Sequence, residues 1–289
     1  MNTCKCETCG EKAYRATKLE KDLAKPQEQK LWSCRSCGHT QVHPIPSPEI
    51  LASYYAYDDE MRKKYDFSTE LKWNGGDQNQ SSITYTNRLD HITKLLNNNK
   101  KLLDIGYGNG SFLRSAFERG FDVTGIDLDE RFFKPEFECN LINGRIEDNP
   151  FPPNSFDVIT THHVLEHVED LEKTTKSIFN ALKPGGLWLI ELPHEIGSLV
   201  NKIRRVFRPL LGHQKYTFYS SVQHIRFFCT KGLESHLKHH HFEIINCRSI
   251  PSSECVTGTA SILLLPLKPL ENKYDQGHFL EAIARKPLL

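Results

Sequence analysis

The middle of the chain alternates between short apolar runs and stretches with apolar residues at helical spacing. Lys101–Ile105 is such a run, and residues 111–119 then follow a helical pattern that ends at Gly120. Later apolar runs occupy positions 121–127, 141–146, 156–161 and 187–192. Strands that alternate with helices form a parallel sheet covered by helices. The pattern therefore predicts an α/β fold with a doubly wound, mostly parallel sheet.

Further elements are expected on both sides of this core. A helix is expected over 83–96, beside the first strand, and another is expected to begin at Thr230. Residues 182–186 contain Pro and Gly and are expected to form a turn before the fifth strand. Two more strands are expected near 242–247 and 259–265, and the tail 266–289 is expected to be peripheral.

Three glycines at alternate positions, Gly106, Gly108 and Gly110, follow the first strand. Glycine lets the backbone turn tightly and brings its N–H groups close to a ligand. The second strand ends at Asp127, and an acid at that place suits hydrogen bonds from ribose hydroxyls. Asp127 also has a simpler interpretation, in which it only caps the loop.

Two C-x-x-C pairs, Cys6/Cys9 and Cys34/Cys37, lie in residues 1–45. Each pair can present two thiolates to one ion, and two pairs complete the tetrahedron that Zn²⁺ prefers. A redox role needs only one such pair on a thioredoxin-like unit, so a structural zinc ribbon is the better interpretation. Cys4 and His39 are alternative ligands. We expect a small structural or docking module whose core is separate from that of the main domain.

Composition limits the function classes. The chain has 289 residues, a net charge of +1 and 38% hydrophobic residues, enough for one substantial core plus a small appendage. No apolar run is long enough to span a membrane and the N-terminus has no signal-peptide pattern, so we expect a cytoplasmic protein. Residues 1–45 carry eight Lys or Arg and five acids, a surplus that four thiolates on zinc would reduce. No nucleic-acid partner is therefore expected.

These signals divide the chain into the ribbon at 1–45, a helical linker or cap at 46–98, a main domain at 99–265 and the tail. A basic insertion, expected to act as a lid, occupies 195–228. No acid lies between Glu195 and Glu234, whereas seven Lys or Arg do. The lid has a solvated basic face in the simplest interpretation. The alternatives are recognition of a phosphate-bearing acceptor and peripheral membrane contact through 196–211.

Five motifs in this order resemble those of the class I S-adenosylmethionine-dependent methyltransferases. They are Asp-Ile-Gly-Tyr-Gly-Asn-Gly at 104–110, Gly-Ile-Asp at 125–127, Ser-Phe-Asp-Val-Ile at 155–159, Val-Leu-Glu-His-Val at 164–168 and Leu-Lys-Pro-Gly-Gly at 182–186. The resemblance implies a seven-stranded Rossmann-like sheet closed by an antiparallel hairpin, with S-adenosylmethionine as the methyl donor.

The resemblance also implies which residues bind the cofactor. The glycine loop would hold its amino-acid end, Asp104 would lie near its ammonium group, and Asp127 would bind its ribose. Arg145 stands where the family often has an acid that contacts adenine, so that contact is in doubt, and Glu147 is a substitute. The full predicted set is Asp104, Gly106, Tyr107, Gly108, Gly110, Asp127, Leu128, Arg145, Ile146 and His162.

Methyl transfer to a hydroxyl also requires removal of a proton, which histidine suits near neutral pH. His163, His224 and His167 are the candidates, with His163 and His224 ahead of His167, which is expected inside a helix. Any of them could instead be a packed histidine. O-methylation is favoured over methylation of nitrogen or carbon.

The ribbon, together with a W-x-C-x-x-C-G-H and a P-x-P-S-P-E segment, resembles methyltransferases of bacterial polysaccharide and natural-product gene clusters. This resemblance implies a small acceptor such as a sugar or another hydroxylated metabolite. Three alternatives stay open: an RNA methyltransferase, a non-catalytic interaction protein with a degenerate fold, and an enzyme with a metal ion at the chemistry. The last, a zinc-dependent methyltransferase, would need ligands near His163 rather than the four ribbon thiolates. The oligomeric state is not predicted.

Overall fold

The computed structural model describes residues 5–11, 14–16, 30–47, 49–51, 78–96, 100–130, 133–207, 224–255 and 262–288. In these residues the strands are β1 (Tyr14–Ala16), β2 (Lys30–Cys34), β3 (Thr40–His43), β4 (Lys101–Ile105), β5 (Asp122–Asp127), β6 (Asn140–Asn143), β7 (Phe156–His162), β8 (Leu182–Pro193), β9 (Arg226–Phe227), β10 (Glu243–Ile250) and β11 (Phe279–Arg285). The α-helices are α1 (Gln78–Leu95), α2 (Ser111–Phe117), α3 (Leu171–Ala181), α4 (Leu199–Phe207), α5 (Thr230–His239), α6 (Ser252–Cys255) and α7 (Lys268–Tyr274).

Seven strands form the main sheet in the order β10-β11-β8-β7-β4-β5-β6. The pairs from β8 to β6 are parallel, whereas β11 runs antiparallel to both of its neighbours. The predicted doubly wound, mostly parallel seven-stranded sheet is therefore confirmed. The expected turn at 182–186 lies inside β8 instead, where the pairing with β7 shifts in register and Gly185 has a φ of 79°.

The prediction for the last strand was wrong. Residues 262–264 are helical and Leu265–Leu267 is a 3₁₀ turn, with Leu263 78% exposed. The strand that pairs with β10 comes from the tail, which was expected to be peripheral, and it lies between β10 and β8. Glu281 interrupts its apolar pattern, but Arg88 of α1 donates a hydrogen bond to this buried carboxylate at 2.8 Å. The polar position is thereby satisfied inside the sheet.

Alternate residues of the strands enter two apolar clusters on opposite faces of the sheet. One face packs Leu103 and Trp188 with residues of α3 and α5. The other packs Leu102 and Leu187 with residues of α1 and α2. A strand with large apolar side chains on both faces is typical of a buried parallel sheet. Because helices cover both faces, a ligand can reach this sheet only at its edges.

A second, smaller sheet has the order β1-β2-β3-β9. Cys34 ends its strand β2, and the other three cysteines of the two pairs lie outside its strands. Its fourth strand comes from the segment predicted to be a lid: Thr40 pairs with Phe227 and Gln41 with Arg226. The ribbon is therefore not confined to 1–45. The rest of the predicted lid contributes α4, whereas residues 208–223 and the side chains of Arg204, Arg205 and Arg208 lie outside the described residues. Residues 52–77 of the predicted cap do so as well. Among the described helices, none has the length and hydropathy of a membrane span.

Candidate active site

The loop after β4 is built on three glycines with a left-handed backbone. Gly106, Gly108 and Gly110 have φ angles of 71°, 50° and 70°, which L side chains rarely adopt. A Cβ at Gly106 would lie 2.7 Å from Val164 Cγ2, and one at Gly110 would lie 2.3 Å from the Phe133 ring. A Cβ at Gly108 would meet no described atom within 4 Å. The loop is therefore packed at both ends and open in the middle.

Asp127, the last residue of β5, binds this loop. Its carboxylate accepts hydrogen bonds from the backbone N–H of Gly108 at 2.9 Å and from that of Asp129 at 3.0 Å. The neighbouring Leu128 is 56% exposed and offers apolar surface beside the carboxylate. Asp127 thus caps the loop and also lies at the carboxyl edge of the sheet, where ligands bind in such folds.

Asp104 and His162 come together from neighbouring strands, β4 and β7. The Asp104 carboxylate is buried and accepts a hydrogen bond from the Thr160 hydroxyl at 2.7 Å. His162 Nδ1 lies 3.6 Å from Asp104 Oδ1. The His162 ring packs against Phe112 of α2, with ring centroids 4.4 Å apart. These two predicted residues therefore form one buried polar pair behind the glycine loop.

Three other residues predicted to bind the cofactor have contacts of their own. The Tyr107 ring is 4% exposed and packs in the apolar cluster beneath α1 and α2. Arg145 Nη2 lies 3.0 Å from Glu169 Oε1, and Ile146 is buried in the cluster on the other face of the sheet. The Tyr107 side chain belongs to the core, so only its backbone is left for the role that the sequence predicts.

The segment after β7 turns sharply. Residues 165–167 form a turn, so the expectation of a helix at His167 was wrong. His163 has a φ of 55°, and its N–H donates to the Glu191 carbonyl at 3.0 Å. The N–H of His167 donates to the Val164 carbonyl at 2.9 Å. This backbone brings His163, Glu166 and His167 into one cluster.

His163 lies between two carboxylates. Its Nδ1 is 3.4 Å from Glu166 Oε1 and its Nε2 is 3.3 Å from Glu191 Oε1. Burial alone would lower the pKa of His163, but the two carboxylates outweigh it and raise this pKa to about 10. Glu191 is in turn bound by Arg88, which also binds Glu281. His163 is therefore held mainly as an imidazolium at neutral pH.

His224 joins the same cluster from the far end of the chain. Its Nδ1 is 3.0 Å from Glu195 Oε1, and its ring lies edge-on to the His167 ring with centroids 4.6 Å apart. Burial lowers the pKa of His224, but Glu195 and Glu166 together raise it by more, so the net shift is upward. The three histidines expected near the chemistry therefore share one site.

Four residues of this cluster were not predicted as site residues: Arg88, Glu166, Glu191 and Glu195. A signal was present in β8, where Glu191 interrupts an otherwise apolar run just before Pro193. A charged residue inside a buried strand needs a partner, and here Arg88 of α1 supplies it. The identity of that partner is set by the packing of α1 and has no local sequence signal.

The Sγ atoms of the four predicted cysteines all lie within 4.8 Å of one another. The Sγ atoms of Cys6 and Cys37 are 3.7 Å apart, and those of Cys9 and Cys34 are 3.6 Å apart. A tetrahedron with Zn–S bonds of about 2.3 Å has edges of about 3.8 Å, so the spacing fits zinc. The buried Thr8 hydroxyl lies 3.2 Å from Cys6 Sγ and 3.1 Å from Cys37 Sγ, where it can donate to a thiolate.

The ribbon is bonded to the site through β9. The N–H of Val42 in β3 donates to the Ile225 carbonyl at 2.9 Å, and the N–H of Ile225 donates to the Glu166 carbonyl at 2.9 Å. The side chain of Arg226 is buried and binds the Glu7 carboxylate of the ribbon at 2.7 Å. The strand that carries His224 to the site is therefore clamped between the ribbon and the Glu166 loop.

Known protein families include one whose sequence pattern this chain matches. A family model described as a methyltransferase domain matches residues 82–246, more than half of the chain. The chain belongs to this methyltransferase-domain family. The matched range includes the glycine loop, Asp127 and the histidine cluster.

Individual relatives are more distant. A ubiquinone biosynthesis O-methyltransferase of Idiomarina loihiensis is 37% identical over 99 residues, which cover 30% of this chain and 40% of that protein. The chain thus spans less than half the length of this relative. A SAM-dependent methyltransferase of Archaeoglobus fulgidus has a TM-score of 0.55 at 20% identity, covering 77% of this chain and all of that one.

A second solved structure resembles this chain to the same degree by TM-score. The Burkholderia thailandensis 1,6-didemethyltoxoflavin-N1-methyltransferase, solved with its substrate and S-adenosylhomocysteine, has a TM-score of 0.55 at 15% identity. The match covers 91% of this chain and 97% of that one. At such identities the two structures support the fold alone.

Proposed function

We propose that the chain transfers a methyl group from S-adenosylmethionine to a hydroxyl of a small-molecule acceptor. The observation that carries this proposal is the Asp127 carboxylate on the Gly108 N–H, at the carboxyl edge of a methyltransferase-type sheet. Asp127 would bind the ribose hydroxyls, Leu128 would give apolar contact to adenine, and backbone groups of the open glycine loop would hold the amino-acid end. Asp104 would lie near the ammonium group.

The cofactor, when bound, supplies a methyl group made electrophilic by its sulfonium. The acceptor oxygen forms the new bond to carbon with its lone pair, the electron pair of the broken S–CH₃ bond stays on sulfur, and the hydroxyl proton leaves. This proton would be lost at the cluster of His163, His167, His224 and their carboxylates. Because its pKa is raised to about 10, His163 would donate a hydrogen bond there and leave proton removal to the rest of the cluster.

The proposed acceptor is any small hydroxylated molecule, without the preference for a sugar that the sequence suggested. The similarity to a ubiquinone biosynthesis O-methyltransferase supports O-methylation but does not support a sugar. We therefore propose a small hydroxylated molecule, and a phosphate-bearing acceptor stays a prediction from the basic segment at 195–228. The experiment is a turnover assay with methyl-labelled S-adenosylmethionine and a panel of phenols, catechols, sugars, nucleotide sugars and short RNAs. We expect product from a small hydroxylated acceptor, after calorimetry shows binding of S-adenosylmethionine and S-adenosylhomocysteine.

Two results would count against this function. Folded protein that binds neither S-adenosylmethionine nor S-adenosylhomocysteine would overturn it. Binding without turnover on any acceptor would favour the non-catalytic alternative, and turnover on RNA alone would favour an RNA methyltransferase.

We also propose that the ribbon holds one structural Zn²⁺ through Cys6, Cys9, Cys34 and Cys37, on the spacing of their sulfur atoms. Metal analysis of protein purified without chelator should give one zinc per chain. A Cys34→Ser variant should lose it, whereas a Cys139→Ser variant, altered outside the ribbon, should keep it. Zinc-free wild-type protein would contradict the proposal.

A further inference from the structure

Glu166 is a buried carboxylate without a hydrogen-bond partner. It is 1% exposed, and neither of its side-chain oxygens accepts a hydrogen bond from the described residues. Two imidazole nitrogens approach Oε1 only loosely, His163 Nδ1 at 3.4 Å and His167 Nε2 at 3.9 Å. An ionised carboxylate that has left water needs close donors or a cation to offset the lost hydration. The His163 imidazolium supplies part of this charge at 3.4 Å, and Oε2 accepts no hydrogen bond from the described residues, which leaves the carboxylate open to a bound cation.

Two histidines complete a ligand set around this carboxylate. One ligand atom each from Glu166, His167 and His224 can be placed within 4.8 Å of one another. The set combines one carboxylate with two imidazoles, the combination that binds divalent first-row transition metals with positions left open. The rings of His167 and His224 contact each other edge-on, with centroids 4.6 Å apart.

The neighbouring contacts fix these donors in place. His224 Nδ1 is 3.0 Å from Glu195 Oε1, so the carboxylate orients the ring and leaves Nε2 as the atom that points away from it. A carboxylate behind a histidine is the usual outer contact of a metal-bound imidazole, where it fixes the tautomer and raises ligand basicity. The Glu166 carbonyl accepts the N–H groups of Ile225 and Arg226, which holds the two ligand segments together.

We propose that Glu166, His167 and His224 bind one divalent transition-metal ion at the acceptor side of the site. Two imidazoles favour Mn²⁺, Fe²⁺ or Zn²⁺ over Mg²⁺, which prefers oxygen ligands and retains water. This site is distinct from the ribbon thiolates. Its ligands lie beside His163, where the sequence analysis places the ligands of a methyltransferase that uses a metal ion in its reaction.

The proposed function gives this ion a task, and this step rests on that function. Three protein ligands leave open positions, which suit an acceptor with two neighbouring oxygens, such as a catechol or a vicinal diol. A hydroxyl oxygen bound to a divalent cation loses its proton more readily. With the ion bound, His167 and His224 would serve as its ligands in place of the proton-removing role given above, and the proton would leave the bound hydroxyl for solvent.

The test is a Mn²⁺ titration followed by electron paramagnetic resonance, on full-length protein with zinc in the ribbon and with neither cofactor nor acceptor. Mn²⁺ prefers oxygen and nitrogen over thiolate ligands, so the ribbon zinc stays in place, and zinc analysis afterwards verifies this. We expect one bound Mn²⁺ per chain. His167→Gln and His224→Gln should each weaken binding by at least about tenfold, and Glu195→Gln should weaken it although it is not a ligand. His241→Gln, at an exposed histidine outside the cluster, should leave it unchanged.

Wild-type protein that binds no Mn²⁺ would overturn the proposal without any variant, and so would equal binding in wild type, His167→Gln and His224→Gln. Calorimetry with S-adenosylmethionine on each variant shows that loss of Mn²⁺ is not loss of the fold. Bound Mn²⁺ without turnover on any acceptor would keep the cation site and reject the proposed function. Full turnover without bound metal would reject the cation site and keep the function.

Discussion

Arg226 donates a hydrogen bond to the Glu7 carboxylate at 2.7 Å, although 219 positions separate the two residues in the chain. The same guanidinium donates to the carbonyls of Val168 and Glu169, just after the histidine turn. One buried side chain therefore joins the cysteine ribbon to the loop that carries Glu166 and His167. Because β9 follows His224 directly, the ribbon supports the position of that histidine as well.

This connection predicts that removing the ribbon metal disturbs the site. Small thiolate sites gain about 10–16 kcal/mol from zinc, so a strong chelator should unfold the ribbon. Hydrogen exchange should then accelerate at the N–H of Val42 and also at those of Ile225 and Arg226, which bind Glu166. Amides of β4 and β7 should stay protected, as the control. Unchanged protection at Ile225 and Arg226 would instead show a separable module, as the sequence suggested.

Asp127→Ala should weaken the binding of S-adenosylmethionine and S-adenosylhomocysteine at least about tenfold. The loss of hydrogen bonds to a charged group costs about 1.5–3 kcal/mol. Calorimetry measures both affinities. The matched control is Asp122→Ala, at an exposed acid at the other end of the same strand, which should bind both compounds as wild type does. Equal affinities in the two variants would remove Asp127 from the cofactor site.

Two glycines of the loop should differ in their tolerance of alanine. Gly108→Ala introduces only the strain of a left-handed backbone, about 1–2 kcal/mol, because its Cβ meets no described atom within 4 Å. Gly110→Ala has the same strain and also places a Cβ 2.3 Å from the Phe133 ring, which adds about 1–3 kcal/mol. Denaturant unfolding should therefore show the larger loss of stability at Gly110. The reverse order would contradict the packing of Phe133 on the loop.

Arg88→Met should be among the most destabilising substitutions in α1. It leaves the buried carboxylates of Glu191 and Glu281 without their shared cation, and breaking a buried pair in this way costs about 3–5 kcal/mol. Lys94→Met, at an exposed position of the same helix, controls for the loss of one charge. The free energy of unfolding from urea titrations measures both. A loss of less than about 1 kcal/mol at Arg88 would show that the carboxylates are hydrated or otherwise paired.

His163 should stabilise the fold in a pH-dependent way. Its folded-state pKa is raised to about 10 by Glu166 and Glu191, above the value of about 6.5 for a free histidine. The stabilisation is therefore fully present below about pH 6.5 and is lost as the pH rises towards 10. Wild type and His163→Gln should differ most in unfolding free energy near pH 6 and least near pH 10. The exposed His241→Gln variant controls for the loss of an imidazole, and a difference that grows with pH would contradict the assignment.

The sequence by itself determined the parts that depend on local pattern. Apolar runs of strand length located β4, β5 and β7, because both faces of these strands are buried. The glycine spacing located the loop, since the backbone there adopts positive φ angles at all three positions. The cysteine pairs located the ribbon, because each knuckle is a short local turn. Asp127 and His163 could be predicted as site residues because one ends a strand and the other directly follows one.

Only the tertiary structure decided the parts that depend on distant partners. The last strand was missed because Glu281 breaks its apolar pattern, and the Arg88 that satisfies this carboxylate comes from α1. The charge of His163 depends on Glu191 of β8, and the orientation of His224 depends on Glu195. A side chain's pKa and ligand geometry follow from which groups surround it in space, and no local pattern encodes those neighbours. For the same reason the sequence separated a ribbon that the fold joins to the site through β9.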